Sequence, residues 1–365
     1  MNGLEYLINN FKQFPILIKI VWILSGILFI IIINLLIYLK FLRGYLRNKE
    51  NIFAKLQSEY ESELINYLYA SQEEEDPTKL IIVEKMKTCI KDKFNREIFL
   101  TVLSKLKNDI SGEMAESIEH LYVKSGLIDY SLAKLKSNKW DVKAAGIKEL
   151  ALFEIKNVYS EISKYKDYPK QEVRNEVQLY FVNLFQFKGL DFLNDLKTPI
   201  SEWNQIQLLE ILQKFEDQEI TDISHWLKSK NNSVVIFALK LAKIYNQFQV
   251  INILLELLAH ENKDIRVEAI EVLNYFQTNE AKQILKNNFL NRSTDEQIAF
   301  FNMLGGIVEK NDEDFILKNV YHENFEIKTL ALKLLKIINI DRFKMLSRSL
   351  SDVENQTIFN FLEKN

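Results

Sequence analysis

The stretch ENKDIRVEAIEVLNYF, residues 261–276, decides the fold. Ile265, Ala269, Leu273 and Phe276 stand at offsets 0, 4, 8 and 11, so they share one face of an α-helix. The outline returns in KWDVKAAGIKELALF (139–153), QEVRNEVQLYFVNLF (171–185), NSVVIFALKLAKIY (232–245) and ENFEIKTLALKLLKII (323–338). The anchor residues are Val142, Val173, Asn204, Val234, Ile265, Glu296 and Ile327, one every 30 or 31 residues. Across the four offsets of all seven units only Asn204, Glu296 and Gly146 are not hydrophobic.

Second apolar stretches lie between these helices: 158–166, 190–197, 222–229, 250–258, 281–290 and 313–321. Each unit therefore reads as a helical hairpin that needs its neighbours to bury its apolar side. The aromatic run 179–193 has helical spacing and reads as core. Composition agrees with an all-α chain. Its 365 residues include only 9 Gly and 4 Pro, too few to punctuate a many-stranded sheet.

The pattern D-x-[VI]-[RK]-x-x-A-x-x-x-L in DVKAAGIKEL and DIRVEAIEVL resembles HEAT repeats. The resemblance covers about residues 127–364. It implies a right-handed α-solenoid of HEAT-like hairpins. It also implies an acidic–basic ladder between repeats, matched here by Asp141, Lys143, Arg174, Asp264, Arg266 and Lys328. Gln205, Val235 and Gln297 depart from that ladder. Residues six past each anchor would line the concave face: Lys148, Glu210, Lys240, Glu271, Asn302 and Lys333. Their mixed signs suit a protein partner better than a polyanion.

The first forty residues are a different material. Residues 20–39, IVWILSGILFIIIINLLIYL, carry no charge, and as a helix they span about 30 Å, the thickness of a bilayer core. Trp22 and Tyr38 sit near the ends, where interfacial aromatics belong. No small-residue cleavage site follows, so an uncleaved anchor is expected rather than a signal peptide. Lys40, Arg43, Arg47, Lys49 and Lys55 follow the segment, which predicts a single pass in the cytoplasmic membrane with the body on the cytoplasmic side. The same cluster can touch anionic headgroups. Asn34 either seeks a partner helix or bonds its own backbone. Leu4, Leu7, Ile8, Phe11 and Phe14 have the spacing of an interfacial helix.

The expected organisation is an interfacial segment (1–15), an anchor (16–42), a juxtamembrane helix with an acidic linker (43–77), capping helices (78–126) and HEAT-like repeats (127–365). Chemistry is hard to find in it. His120, His225, His260 and His322 lie in different units without metal-ligand spacing, and Cys89 reads as a structural thiol. No glycine-rich phosphate loop is present, and no metal or cofactor is expected. Residues 56–365 carry a net charge of −8, which argues against nucleic acid. The reading is a non-catalytic, membrane-tethered scaffold for a membrane-associated protein partner. Bacterial proteins that look like this accompany cell-envelope machinery, including membrane glycosyltransferases. The alternative is an enzyme or modifying factor with its site in the concavity; a DNA-acting protein ranks lower.

Overall fold

A computed structural model describes residues 15–70, 76–215, 222–349 and 353–364. The interfacial helix expected at 1–15 (apart from Pro15) and the acidic stretch 71–75 lie outside the described residues. The chain is all-α, with no strand among the described residues, and it divides into two compact units, Met1–Tyr130 and Ser131–Asn365.

In the first unit, α1 (Ile16–Tyr69) is a single helix of 54 residues, about 80 Å long at 1.5 Å per residue. Its first half is exposed on every side. In its last third Tyr60, Leu64 and Tyr67 are buried where α1 packs on α2 (Pro77–Cys89), α3 (Lys93–Asp109) and α4 (Glu113–Lys124). α1 runs unbroken across the boundary between the expected anchor and juxtamembrane segments. Only Gly44 interrupts the helix formers there, and one glycine costs a helix about 1 kcal/mol, too little to break it. The folded body begins inside α1 rather than after Pro77. Lys85 ties α2 to α1 through Glu59 (3.0 Å) and Glu63 (2.8 Å). Its ammonium is held above the usual lysine range by these hydrogen bonds.

α5 (Leu127–Leu135) leads into the second unit. The seven anchored stretches form α6 (Trp140–Leu152), α8 (Gln171–Phe185), α9 (Glu202–Leu212), α11 (Asn232–Ile244), α13 (Lys263–Tyr275), α15 (Thr294–Ile307) and α17 (Phe325–Ile338). Consecutive members pack on one another: α6 on α8, α8 on α9, α11 on α13, α13 on α15 and α15 on α17. At offsets 4 and 8 every residue is buried, and so is every anchor except half-buried Val142. α18 (Ile340–Ser349) and α19 (Val353–Lys364) close the array against α17.

The starts of these helices have local causes. Three residues before the anchor, the side chains of Ser201, Asn231, Asn262, Ser293 and Asn324 accept backbone N–H groups of the first turn, each worth about 1 kcal/mol. The ends are less usual. Glu154, Gln186, Asn246 and Gln277 follow α6, α8, α11 and α13 at φ between 51° and 56°, where glycine is the customary residue. Behind three of them the chain closes a 6→1 bond, as in Thr278 N–H to Leu273 O at 3.1 Å.

The partner stretches are shorter than the hairpin reading expects. They are α7 (Tyr159–Ser163), a 3₁₀ segment (Gln186–Asp195), α10 (Ser224–Leu227), α12 (Ile251–Leu257), α14 (Asn279–Asn287) and α16 (Glu313–Asn319). The 3₁₀ segment lies hard against α8: a Cβ on Gly189 would fall 2.2 Å from the Phe181 carbonyl oxygen. The aromatic run behaves as core there, with Tyr180, Phe181, Phe187 and Phe192 buried.

Two substitutions test this frame by thermal unfolding of the full chain. Gly189→Ala forces α8 and the 3₁₀ segment apart and lowers stability by about 2 kcal/mol or more. Gln277→Gly relieves a left-handed side-chain residue and raises stability by about 1 kcal/mol.

Candidate interaction surface

The three anchors and core positions that broke the hydrophobic rule each have a structural reason. Gly146 lets α6 approach α5, since a Cβ would meet Lys134 Cβ at 2.8 Å and the Ser131 carbonyl at 2.9 Å. Asn204, fully buried, donates to the Gln178 side chain of α8. Glu296, also fully buried, accepts Arg266 Nε at 2.8 Å and Nη2 at 2.9 Å, and Arg292 Nη1 at 3.0 Å. Ser293 adds its N–H and hydroxyl. Burial pushes the Glu296 carboxyl up, but the bonds from Arg266 and Ser293 outweigh it and hold it at about 2. A second cluster surrounds Asp312, which Lys282 reaches at 2.8 Å and Lys286 also contacts. Burial opposes its charge, and those lysines keep its carboxyl below the usual range.

The basic residues assigned to a ladder do two jobs. Arg174 donates to the Tyr168 and Pro169 carbonyls at 2.7 and 3.0 Å. Arg266 donates likewise to His260 and Glu261 at 2.7 and 2.9 Å. Lys143 reaches the Leu135 carbonyl and lies 4.2 Å over the Tyr165 ring. These contacts satisfy carbonyls orphaned at the turn before the helix. Gln205 and Gln297, which depart from the HEAT pattern, make the same kind of contact, to Ile200 O at 3.3 Å and Phe289 O at 3.0 Å. Val235 is buried and makes none. Crossing between repeats falls to Arg266–Glu296 and to Lys263–Asp295 at 2.7 Å. Lys328 pairs with Glu354 of α19 at 2.7 Å. Asp141 and Asp264 occupy exposed first turns, where a carboxylate favours the helix dipole.

The offset-six residues Lys148, Glu210, Glu271, Asn302 and Lys333 are exposed, and Lys240 is half-buried, donating to Gln205 at 2.9 Å. Two carboxylates that the offset-six reading passed over stand three past their anchors. Burial raises the Glu176 carboxyl against the pull of Lys148 on the preceding helix. Burial and the neighbouring Glu271 raise that of Glu268 against Lys240 and Lys243. In the other five units that offset holds Ala145, Gln207, Phe237, Ala299 and Leu330, none of them charged.

One helical turn further, at offset ten, Ile244 on α11, Tyr275 on α13 (51% exposed) and Ile337 on α17 (61%) lie open, while Asn183, Lys214 and Gly306 hold that offset in the units of α8, α9 and α15. On α9, Trp203 (67% exposed) and Ile206 stand at helical spacing from Glu210. The face is therefore a polar row flanked by exposed apolar side chains, with one large indole. Sequence reading missed Trp203 because it looked only at positions fixed by the repeat, and tryptophan occurs there in α9 alone.

Three of the four histidines are spent locally. His260 and His322 each accept, through Nδ1, the backbone N–H of the capping asparagine two residues on, at 3.0 Å. His225 and Trp226 share the Asn194 side-chain oxygen at 2.7 Å each. No cluster of three metal-ligating side chains occurs among the described residues. In the apolar half of α1, Asn34 donates to its own helix at Ile30 O, 2.9 Å away.

No known family pattern and no curated protein matches the chain. Two engineered proteins solved as crystal structures by a structural genomics consortium are similar to it, each 14% identical. One matches 84% of this chain and 98% of its own length at a TM-score of 0.36; the other matches 70% and 95% at 0.24.

The Glu296 cluster makes an acid-stability prediction. The carboxyl falls from the ordinary 4.5 to about 2 on folding. Its contribution, on the order of 3 kcal/mol, is whole above pH 4.5 and lost as pH falls toward 2. Glu296→Ala should remove this acid-sensitive component at neutral pH and cost about 3–5 kcal/mol, because Arg266 and Arg292 stay behind unpaired. Urea titrations from pH 7 to pH 2.5 measure both.

Proposed function

We propose that the chain is a single-pass membrane scaffold whose second unit is a HEAT-like, right-handed α-solenoid that binds a protein partner. The observation that carries the partner reading is the mixed face of α9, α11, α13, α15 and α17. Exposed aromatic and aliphatic side chains bordered by polar ones are what protein interfaces use for affinity and register. Trp203 is the natural anchor point on it. A repeat array extends such a face across many units, which suits an extended protein ligand.

The anchor reading rests on the exposed apolar half of α1. A water-facing run of this size would carry a large hydrophobic cost, and a bilayer removes it. A cleaved leader fits less well, because the helix runs unbroken from the apolar stretch to the buried Tyr60, Leu64 and Tyr67. Cleavage would cut through a helix that the folded unit uses. The basic flank from Lys40 to Lys55 supports a cytoplasmic body. The cell-envelope or glycosyltransferase setting rests on family resemblance alone.

Carbonate extraction should leave the full chain in the membrane pellet, and protease applied from the outside of spheroplasts should spare residues 56–365. Crosslinking capture of a membrane-associated protein should fall at least fivefold in Trp203→Ala, with no change in unfolding temperature, since the side chain is largely solvent-facing. Capture unaffected by Trp203→Ala, Tyr275→Ala and Lys333→Glu together would remove this face from consideration.

A further inference from the structure

The folded part of the first unit comes back to the base of the apolar segment. α3 begins beside α1 only ten residues past Leu39, where Lys49 Nζ lies 5.4 Å from the centre of the Phe94 ring. Tyr45, Asn48, Lys49, Ile52 and Phe94 line a cleft of about 350 Å³ there. Lys91 and Lys93, at the start of α3, are exposed, and so are Arg43, Arg47 and Lys49 on α1. Five cations thus stand at this level of α1 and α3 against three carboxylates: Glu50, Asp92, which caps α3 through Asn95 N–H at 2.9 Å, and Glu97, 3.8 Å from Lys93; Arg43 and Arg47 project from the side of α1 away from the cleft.

Position fixes what this patch meets. Ten residues of helix are about 15 Å. The headgroup region extends roughly 5–8 Å beyond the hydrocarbon, and surface potential acts for about another 8 Å. Tyr38, Phe41 and Tyr45, all exposed, fill the intervening interface. We infer that the start of α3 and the adjoining turn of α1 form a docking surface for anionic lipid headgroups, which seats the first unit on the bilayer. The inference rests on the anchor reading. It goes beyond the basic flank of the anchor, because Lys91 and Lys93 belong to a different helix. The cations oppose the net charge of −8 on residues 56–365, so the attraction is confined to this junction.

The test uses the full chain in vesicles of equal phosphatidylcholine and phosphatidylglycerol. The chain is extracted into mild detergent, and the lipids it retains are counted by mass spectrometry. Phosphatidylglycerol should be enriched. Lys93→Glu should lower the enrichment about fivefold or more and Lys93→Arg should keep it, because one basic residue at an anionic surface changes binding by about that factor. Lys93 is 80% exposed and its contact with Glu97 is 3.8 Å, so the variant keeps its fold, which its unfolding temperature verifies. Lys188→Glu in the second unit should change nothing. A chain that resists carbonate but retains both lipids equally, or whose enrichment ignores Lys93→Glu, overturns the docking surface and leaves the anchor standing. A chain released by carbonate overturns both.

Discussion

No anchored helix of the second unit can bury its apolar side alone. Burying one Leu or Phe contributes about 2 kcal/mol, and the residues at offsets 0, 4 and 8 are sealed only when the next helix lies over them. The partner stretches contribute little length of their own, down to the four residues of α10. Contact therefore runs from long helix to long helix, α9 to α11 excepted, with the partner stretches packed against them, and the repeat interval near 31 residues records that need. Any unit can vary its surface freely so long as those three rows stay closed.

The departures from the rule follow from the same constraint. A glycine at 146 and another at 189 appear where two elements come closer than a methyl group permits. Asn204 and Glu296 put polar atoms into the core, and each is met by groups from the preceding helix, Gln178 for one and Arg266 for the other. Such pairs add little net stability against an apolar core, yet they tolerate no shift in register. They hold neighbouring repeats in one alignment where aliphatic packing alone would let them slide. With few glycines available, the chain ends its helices on Glu, Gln and Asn in the left-handed region, and the 6→1 bonds behind them offset part of that strain.

Much of this was legible in the residues. The interval and the buried rows are periodic signals, and the apolar run at 20–39 is a compositional one; both kinds survive without a structure. What stayed hidden was aperiodic or distant. Asn95, Phe99 and Leu103 on α3 repeat the offsets, and Arg96 donates to the Ile90 carbonyl at 2.8 Å as Arg266 does to His260. Their anchor lies 47 residues before Val142, outside the interval, so this unit passed as an irregular cap. Gln205 and Gln297 looked like breaks in a ladder because charge was the quantity compared. The carbonyl they satisfy needs only an N–H donor. Trp203 was invisible for the opposite reason: a residue that serves a partner has no cause to repeat.

The unbroken course of α1 bears on the proposed anchor. A tether through a flexible linker raises local concentration and fixes nothing else. A helix continuous from Ile16 to Tyr69, with its last third inside the packed unit, transmits direction as well. Any tilt of the apolar half must move Tyr60, Leu64 and Tyr67, and those are locked against α2, α3 and α4. The Lys85 bridge to Glu59 and Glu63 stiffens the same joint from outside. Under the proposed membrane reading, core packing in the first unit carries the orientation at the bilayer, and a change at Tyr60 would alter how the unit stands as well as how stable it is.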